Sequence, residues 1–305
     1  MIYTLTLNPA LDYTMRFSHV VRGTVNRADT VRITPGGKGI NVSLVLARLG
    51  IPNVALGFLA GSTGRELERL LQEEGVTTGF VVLPEGQTRI NVKLFDPDQL
   101  DLNAPGPDLT EAGLTTLRET LSHLQPEDTL VLSGALPGSA PQDLYERILE
   151  ELPPDVTVVV DTTGEALSRT LSFHPFLVKP NWQELQELFG VETPSFESEE
   201  TWNLTEQLQR RGAENVLVSG GGDGALLLDR TGERHFLPPA SGQLIGDVGC
   251  GDSMVAGFLA GFAHTGDYSM AFRLGAAAGA ATAFSEDLGD RALICSIFHR
   301  EEPQW

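Results

Sequence analysis

Four glycine-punctuated segments hold most of the residues that could do polar chemistry. The first, Thr34-Pro35-Gly36-Gly37-Lys38-Gly39-Ile40-Asn41-Val42, runs into a helical pattern that stops at Gly50. Glycines at a helix start let the backbone approach an anion; the free N–H groups and the helix dipole attract phosphate, Lys38 adds charge and Asn41 adds a polar arm. Gly39 stands where a Walker A loop places Ser or Thr after its lysine, which excludes that loop type. A plain strand-to-helix turn with a solvated lysine is spelled by the same letters. The second segment, Gly249-Cys250-Gly251-Asp252-Ser253, opens a small-residue helical pattern over 254–263. Its glycines free successive N–H groups to form a nest for developing negative charge. Asp252 beside that nest can accept the proton of an attacking hydroxyl. It also suits the N-cap of the helix.

The third segment, Ser219-Gly220-Gly221-Gly222-Asp223-Gly224-Ala225, nominally fits a dinucleotide fingerprint, but it is followed by Leu226-Leu227-Leu228 and then by turn residues. The fingerprint demands a strand-to-helix turn, so this loop joins two strands, either as a plain hairpin or as a loop flanking a nucleotide. In the fourth, Lys179-Pro180-Asn181-Trp182-Gln183-Glu184, Asn181 and Glu184 lie three apart at a helix start. That spacing can hold a hydrated magnesium ion through water, or form a capping box. Asp12 follows Asn8-Pro9, and Arg89 starts an alternating strand with Lys93. These three suit a polyol and an anion, or a solvated strand. The six histidines show no metal-ligand spacing and no nucleophilic triad is visible.

The chain that must position these residues has 305 of them, with 21 Lys plus Arg against 41 Asp plus Glu, a net charge of −20. A field of that sign argues against nucleic acid and anionic membranes as partners, and obliges an anionic substrate to find a private positive pocket. Only three of the basic residues are lysines, Lys38, Lys93 and Lys179. Two cysteines, Cys250 and Cys295, cannot build a disulfide framework or a CxxC metal site. The opening residues lack a signal-peptide pattern, and no apolar run approaches the ~18 residues of a membrane span, so the expected setting is cytoplasmic.

Apolar runs at 2–7, 54–59, 129–133, 156–161, 176–179 and 216–219 alternate with amphipathic stretches such as 63–74, 110–124, 143–152 and 201–211. That alternation indicates βαβ units and a mostly parallel sheet in a single domain spanning 1–305. Segments 13–17, 29–34 and 89–95 alternate with period two, with Ile90, Val92 and Leu94 sharing a face. Half-exposed strands of this kind form a small accessory sheet, inserted at about 12–34 and 89–104, that could serve as a lid and, through an apolar face, as a dimer contact.

Occurring together in this order and spacing, the four segments resemble the phosphofructokinase B family of sugar kinases within the ribokinase-like superfamily. The similarity runs from Thr4-Leu5, through Asn8-Pro9-Ala10-Leu11-Asp12, to about Ala283-Phe284-Ser285-Glu286, nearly the whole chain. It implies a doubly wound α/β fold, a mostly parallel sheet flanked by helices with a small β lid; the apolar face of that lid makes a homodimer joined through it the expected assembly. It implies ATP and Mg2+ as cosubstrate and metal. Asp12, Gly37, Lys38 and Asn41 would hold a sugar, Arg89 and Lys93 its phosphate, and Ser133 would belong to a further substrate-side turn. Lys179, Asn181 and the residues Ser219, Gly220, Gly221, Gly222, Asp223 and Gly224 would serve the nucleotide, with Glu184 placing magnesium. Gly249, Cys250 and Gly251 would form the anion hole and Asp252 the catalytic base. The segments Thr88-Arg89-Ile90-Asn91-Val92-Lys93 and 249–257 look most like the branch that phosphorylates the 6-hydroxyl of fructose 1-phosphate. Tagatose-6-phosphate or fructose-6-phosphate kinase, or a sugar-phosphate sensor without turnover, are the alternatives. Cys250 stands where alanine is usual, Asp247 where Ser or Thr is common, and the tail 287–305 loses the pattern.

Overall fold

Branched apolar side chains on alternating strands and helices leave two sheet faces to cover, and the chain covers both. The computed structural model describes residues 1–96 and 98–300. β1 (Ile2–Thr6) leads into β2 (Ala10–Arg16) and β3 (Thr30–Gly36), after which α1 (Lys38–Leu49) and β4 (Asn53–Ala60) follow. Next come α2 (Gly61–Glu73), the short β5 (Thr77–Thr78) and β6 (Val81–Leu83), then β7 (Arg89–Asp96) and β8 (Asp98–Asn103). Helices and strands then alternate through α3 (Glu111–Leu121), β9 (Thr129–Ser133), α4 (Leu144–Glu150), β10 (Thr157–Asp161), α5 (Gly164–Thr170) and β11 (Leu177–Val178). After α6 (Trp182–Phe189) and α7 (Glu199–Arg210) come β12 (Asn215–Ser219), β13 (Ala225–Leu228) and β14 (Arg234–Leu237), then α8 (Cys250–Thr265), α9 (Tyr268–Ala283) and α10 (Arg291–Arg300).

The main sheet runs β14-β13-β12-β11-β10-β9-β1-β4-β5, with β6 also paired to β4. Its pairs are parallel from β5 to β12 and antiparallel from β12 to β14. Alternate side chains separate the faces. Val131, Val159, Leu177 and Leu217 join α1, α8 and α9 in one core, and α10 adds Ile294 and Ile297 to it. Leu130 and Leu132 pack on α3 and α4, and Val160, Val178 and Val216 on α5, α6 and α7. This is the doubly wound, mostly parallel arrangement expected from the alternation. The tail is helical over Arg291–Arg300 and contributes core side chains; residues 301–305 lie outside the described part.

The accessory sheet has four strands, β3-β2-β7-β8, where three were expected from periodicity. The fourth, β8, is short and follows β7 almost directly, so its alternation is easily merged with its neighbour's. Register divides the sheet cleanly. Tyr13 lies between Ile33 and Val92, with Leu102 beyond, and Met15 between Val31 and Leu94, with Leu100 beyond. The opposite face aligns Asp12 with Thr34 and Asn91, and Thr14 with Arg32 and Lys93.

α8 is buried along Asp252 to Gly261, and packs tightly on α9. Small residues make this possible: a Cβ on Gly257 would lie 2.5 Å from the carbonyl oxygen of Leu274 and 2.9 Å from the Cα of Gly275. Ser253 and Thr282 share a buried 2.7 Å hydrogen bond across the same contact. Replacing Gly257 by Ala should therefore destabilise the protein by about 1–3 kcal/mol, outweighing the ~1 kcal/mol that Ala ordinarily adds inside a helix. The check is the urea midpoint at unchanged slope; a higher midpoint would show that the two helices can separate without penalty.

Candidate active site

The carboxyl ends of the parallel strands open onto the turns that carry the polar segments, the edge where open α/β sheets bind ligands. α1 begins at Lys38, and its N-cap is Gly37, whose φ of 121° is a conformation that side chains disfavour. Asn41, in the first turn, donates through Nδ2 to Asp252 Oδ2 at 2.7 Å. This contact ties the start of α1 to the start of α8. α8 is capped by Gly249 in the left-handed region at φ 81°, and Gly249 has no room for a Cβ because Leu288 Cδ2 would lie 2.6 Å away. Asp252 sits three residues inside and makes no cap, so the capping alternative for it fails. Its carboxylate turns instead toward Asn41. The first i to i−4 bond of α8 runs from Ser253 N to Gly249 O, leaving the N–H groups of Gly251 and Asp252 ahead of the ladder. Cys250 belongs to the same turn, its Sγ 3.8 Å from Gly246 O, and burial with the nearby Asp247 and Asp252 charges pushes its thiol up to about 12. Asp247 is exposed.

The deepest charge is Asp161, at the end of β10, which is fully buried. Its Oδ1 lies 3.3 Å from Lys38 Nζ and 3.5 Å from Lys179 Nζ, while its Oδ2 has no hydrogen-bond partner. Lys179 passes under the α8 turn: a Cβ on Gly251 would lie 2.8 Å from its ammonium. Burial works against ionising Asp161, but the Lys179 and Lys38 charges prevail and hold it below the ordinary carboxylate range. Burial and then the Asp161 charge push Asp252 the other way, up to about 7, against the Asn41 hydrogen bond and the lysines. For Lys38, burial lowers the pKa, yet Asp161, Asp252 and Glu184 together raise it above the usual lysine value. Ser133, at the end of β9, is buried with its Oγ unpartnered, and the adjacent Gly134 would bring a Cβ to 4.0 Å of Lys38 Cβ.

The small sheet presents its polar face to this region from the other side of the Gly36–Gly37 turn, since a Cβ on Gly36 would meet Asp12 Oδ1 at 2.5 Å. Asp12 accepts from Asn91 Nδ2 at 3.0 Å and pairs with Lys93 Nζ at 2.9 Å. Arg89 Nε donates to Asn8 O at 3.1 Å; burial lowers its pKa, opposed by Asp12. On the far side, Asn181 bridges to Ser219, whose N–H reaches Pro180 O at 3.3 Å, so the Lys179 turn and the glycine loop meet. The loop itself is a hairpin connection containing one short helical turn, 221–223. Gly220 and Gly224 have packing reasons, since a Cβ would strike the Phe196 ring at 2.7 Å and the Leu237 carbonyl oxygen at 2.2 Å respectively, whereas Gly221 and Gly222 face open space. Asn181 and Glu184 do form the capping box, Glu184 N to Asn181 Oδ1 at 2.7 Å and Asn181 N to Glu184 Oε2 at 2.8 Å. The box engages Oε2 and leaves Oε1 of Glu184 for other partners.

Asp161 and Asn91 escaped sequence reading. Asp161 had one legible signal, an acidic residue closing the apolar run Val158-Val159-Val160. Among the described residues, Asp229, Glu233 and His235 also gather, unforeseen from histidine spacing. There Asp229 Oδ1 accepts from Thr231 N and Oγ1 and from Glu233 N, and Oδ2 lies 2.9 Å from His235 Nε2, so the group serves the β13–β14 turn.

Residues 5–292 match the family described as pfkB family carbohydrate kinase. The chain is 43% identical to a 1-phosphofructokinase of Bacillus subtilis, with 96% of each chain covered, and 37% identical to a D-tagatose-1-phosphate kinase of Bacillus licheniformis, with 95% of each covered. The crystal structure of phosphofructokinase-2 from Escherichia coli in complex with substrates and products superposes with a TM-score of 0.92 at 29% identity, covering 98% of both chains. With a glycine-capped late helix, an aspartate in its first turn and, nearby, the lysines of a helix start and a strand end meeting at Asp161, the chain belongs to the pfkB family of carbohydrate kinases.

Proposed function

We propose that this protein transfers the γ-phosphoryl group of ATP to the 6-hydroxyl of fructose 1-phosphate, giving fructose 1,6-bisphosphate. The observation that carries the reading is the convergence at the start of α8, where Asp252 stands beside free N–H groups with Lys179 directly beneath. A carboxylate there removes the hydroxyl proton while the amides and the ammonium offset charge on the transferring phosphoryl. Asn41 orients the base. Asp12, Lys38, Gly37 and Ser133 take the sugar hydroxyls, and Arg89 with Lys93 takes the phosphate already present, a cationic pair in an otherwise strongly acidic protein.

On the nucleotide side, Lys179, Asn181 and the Ser219–Gly224 loop line the donor, with Gly222 facing open space. Magnesium fits the donor set: one free carboxylate oxygen on Glu184 suits an ion that keeps most of its waters and takes phosphates as its other ligands. Bound there, it would neutralise charge on the triphosphate. The small sheet is a lid whose closure excludes water and so spares ATP from hydrolysis. Its other face, with Val31, Ile33, Leu100 and Leu102 all between 43% and 52% exposed, is the contact of a homodimer.

The relatives divide on the sugar, and the D-tagatose-1-phosphate kinase likeness favours that ketose phosphate as the second reading. Rates with fructose 1-phosphate, tagatose 1-phosphate, tagatose 6-phosphate and fructose 6-phosphate at fixed ATP and magnesium should place fructose 1-phosphate highest in kcat/KM. A higher value for any other sugar reassigns the substrate, and tight binding without turnover makes the protein a sensor. Asp252→Asn should lower kcat by roughly 10²–10⁴-fold with sugar KM little changed, and an unaltered kcat would remove the base assignment. In sedimentation, the parent should run as a dimer and Ile33→Asp as a monomer; a monomeric parent refutes the interface.

A further inference from the structure

We propose that Arg32 and Asp287 form a latch that draws the small sheet over the site, with Asp287 a positioning residue for sugar binding; the inference rests on the small sheet being the lid. Arg32 lies in β3, in register with Thr14 and through it with Lys93, on the face that also carries Asp12 and Asn91. From there its Nη2 donates to Asp287 Oδ2, a contact between residues 255 apart in the chain. Asp287 belongs to the segment joining α9 to α10, and the next residue, Leu288, seats against Gly249 at the cap of α8. One end of the pair therefore belongs to the polar face of the lid, and the other to the support of the helix start that carries Asp252. Holding the two ends together draws the walls of the cleft toward each other.

The body side of the latch is set before the lid arrives. Arg48, in the last turn of α1, donates through Nη1 to Leu288 O at 2.6 Å and through Nη2 to Glu74 Oε2 at 3.3 Å, and the same Nη2 lies 3.7 Å from Asp287 Oδ2. Gly289 N donates to Thr282 Oγ1 at 2.9 Å, which anchors the segment again. Most part-exposed ion pairs contribute little because two long side chains must be ordered to meet. Here the acidic partner is short and its neighbours are already fastened, so the ordering falls on Arg32 alone. Packing does not fix the sheet at this junction: a crevice of about 180 Å³ separates β3 from the body, its lining including Arg32, Thr34, Leu44, Arg48, Leu70 and Asp287. Neutralising either partner frees the sheet to stand away, which lowers the fraction of molecules ready to take the sugar phosphate and raises its apparent dissociation constant in proportion. Once the sugar has closed the lid, Asp252 and the α8 turn are those of the parent.

Steady-state kinetics and hydrogen exchange test this, with fructose 1-phosphate or whichever of the four ketose phosphates above has the highest kcat/KM. Asp287→Asn and Arg32→Gln should each raise the sugar KM by roughly 3-fold or more while kcat stays within about twofold. The double variant should go no further than the stronger single one, since both remove the same contact, and Asp287→Glu should recover most of the loss. In the unliganded protein the amides of β2 and β3 should exchange faster in Asp287→Asn than in the parent, and the two should converge at saturating sugar phosphate. A merely structural Asp287 would lower the urea midpoint and kcat with KM unmoved; that result overturns the proposal, as do additive effects of the two single variants. The lid reading fails separately. If saturating sugar phosphate leaves exchange in β2 and β3 of the parent unaltered, the sheet is no lid and the latch falls with it, whereas a parent that responds, beside variants that bind and exchange as it does, dismisses the latch alone.

Discussion

Two lysines and two aspartates occupy one largely dry space where β10, β11, α1 and α8 meet, and their mutual compensation sets the terms for everything around them. Removing one partner from a buried ion pair typically costs about 3–5 kcal/mol, because the other charge is left without water or counterion. Asp161 answers to two ammoniums at once, so it fixes Lys38 at the start of α1 and Lys179 at the end of β11 relative to a single point. The Asn41 bond fixes the orientation of Asp252 from a third direction.

That arrangement depends on how closely the helices behind it can pack. α8 enters the site with its first turn, and the depth of that turn is governed by contact with α9 through Gly257, Gly275 and Gly261. The Ser253–Thr282 hydrogen bond adds register to proximity, and Gly289 N donates to the same Thr282 oxygen at 2.9 Å. Leu288 then seats against Gly249, so the segment that departs from the family pattern still supports the helix start through packing. The Arg48 side chain fastens this segment again, donating to Leu288 O at 2.6 Å and lying 3.7 Å from Asp287. Core packing and site geometry are here the same contacts seen from two ends.

Glycines, lysines and turn residues were legible because each leaves a local signature: a helix start, a strand exit, a break in periodicity. The βαβ alternation and the two-faced small sheet followed from side-chain period in the same way. What could not be read is whatever depends on distant pairing. Asp161 is an ordinary strand-end aspartate until Lys38 and Lys179, 123 residues before it in one case, arrive from other elements. Asn91 gains meaning only through its register with Asp12 across two strands distant in the chain. Asn181 and Glu184 show the converse. Their letters permit a capping box or a metal site, and the fold builds the box while leaving one oxygen uncommitted, so the two readings are compatible.

The scarcity of lysine acquires a physical sense in this setting. Lys38 and Lys179 meet Asp161, and Lys93 meets Asp12, so all three lysines are paired with aspartates at the site. Among the described residues, the surface ion pairs that a Lys or Arg side chain makes with an acidic one, such as Arg69 with Glu66 and Arg234 with Glu199, use arginine. A guanidinium stays charged in any surroundings and binds carboxylates through a fork, which suits helix surfaces. An ammonium is a compact charge that three partners can approach from different directions, which suits a crowded buried cluster. In a chain carrying −20 overall, placing the compact cations at the strand ends creates a short-range positive region without altering the long-range field. An anionic substrate then gains attraction only after it has entered the cleft, where desolvation strengthens each interaction.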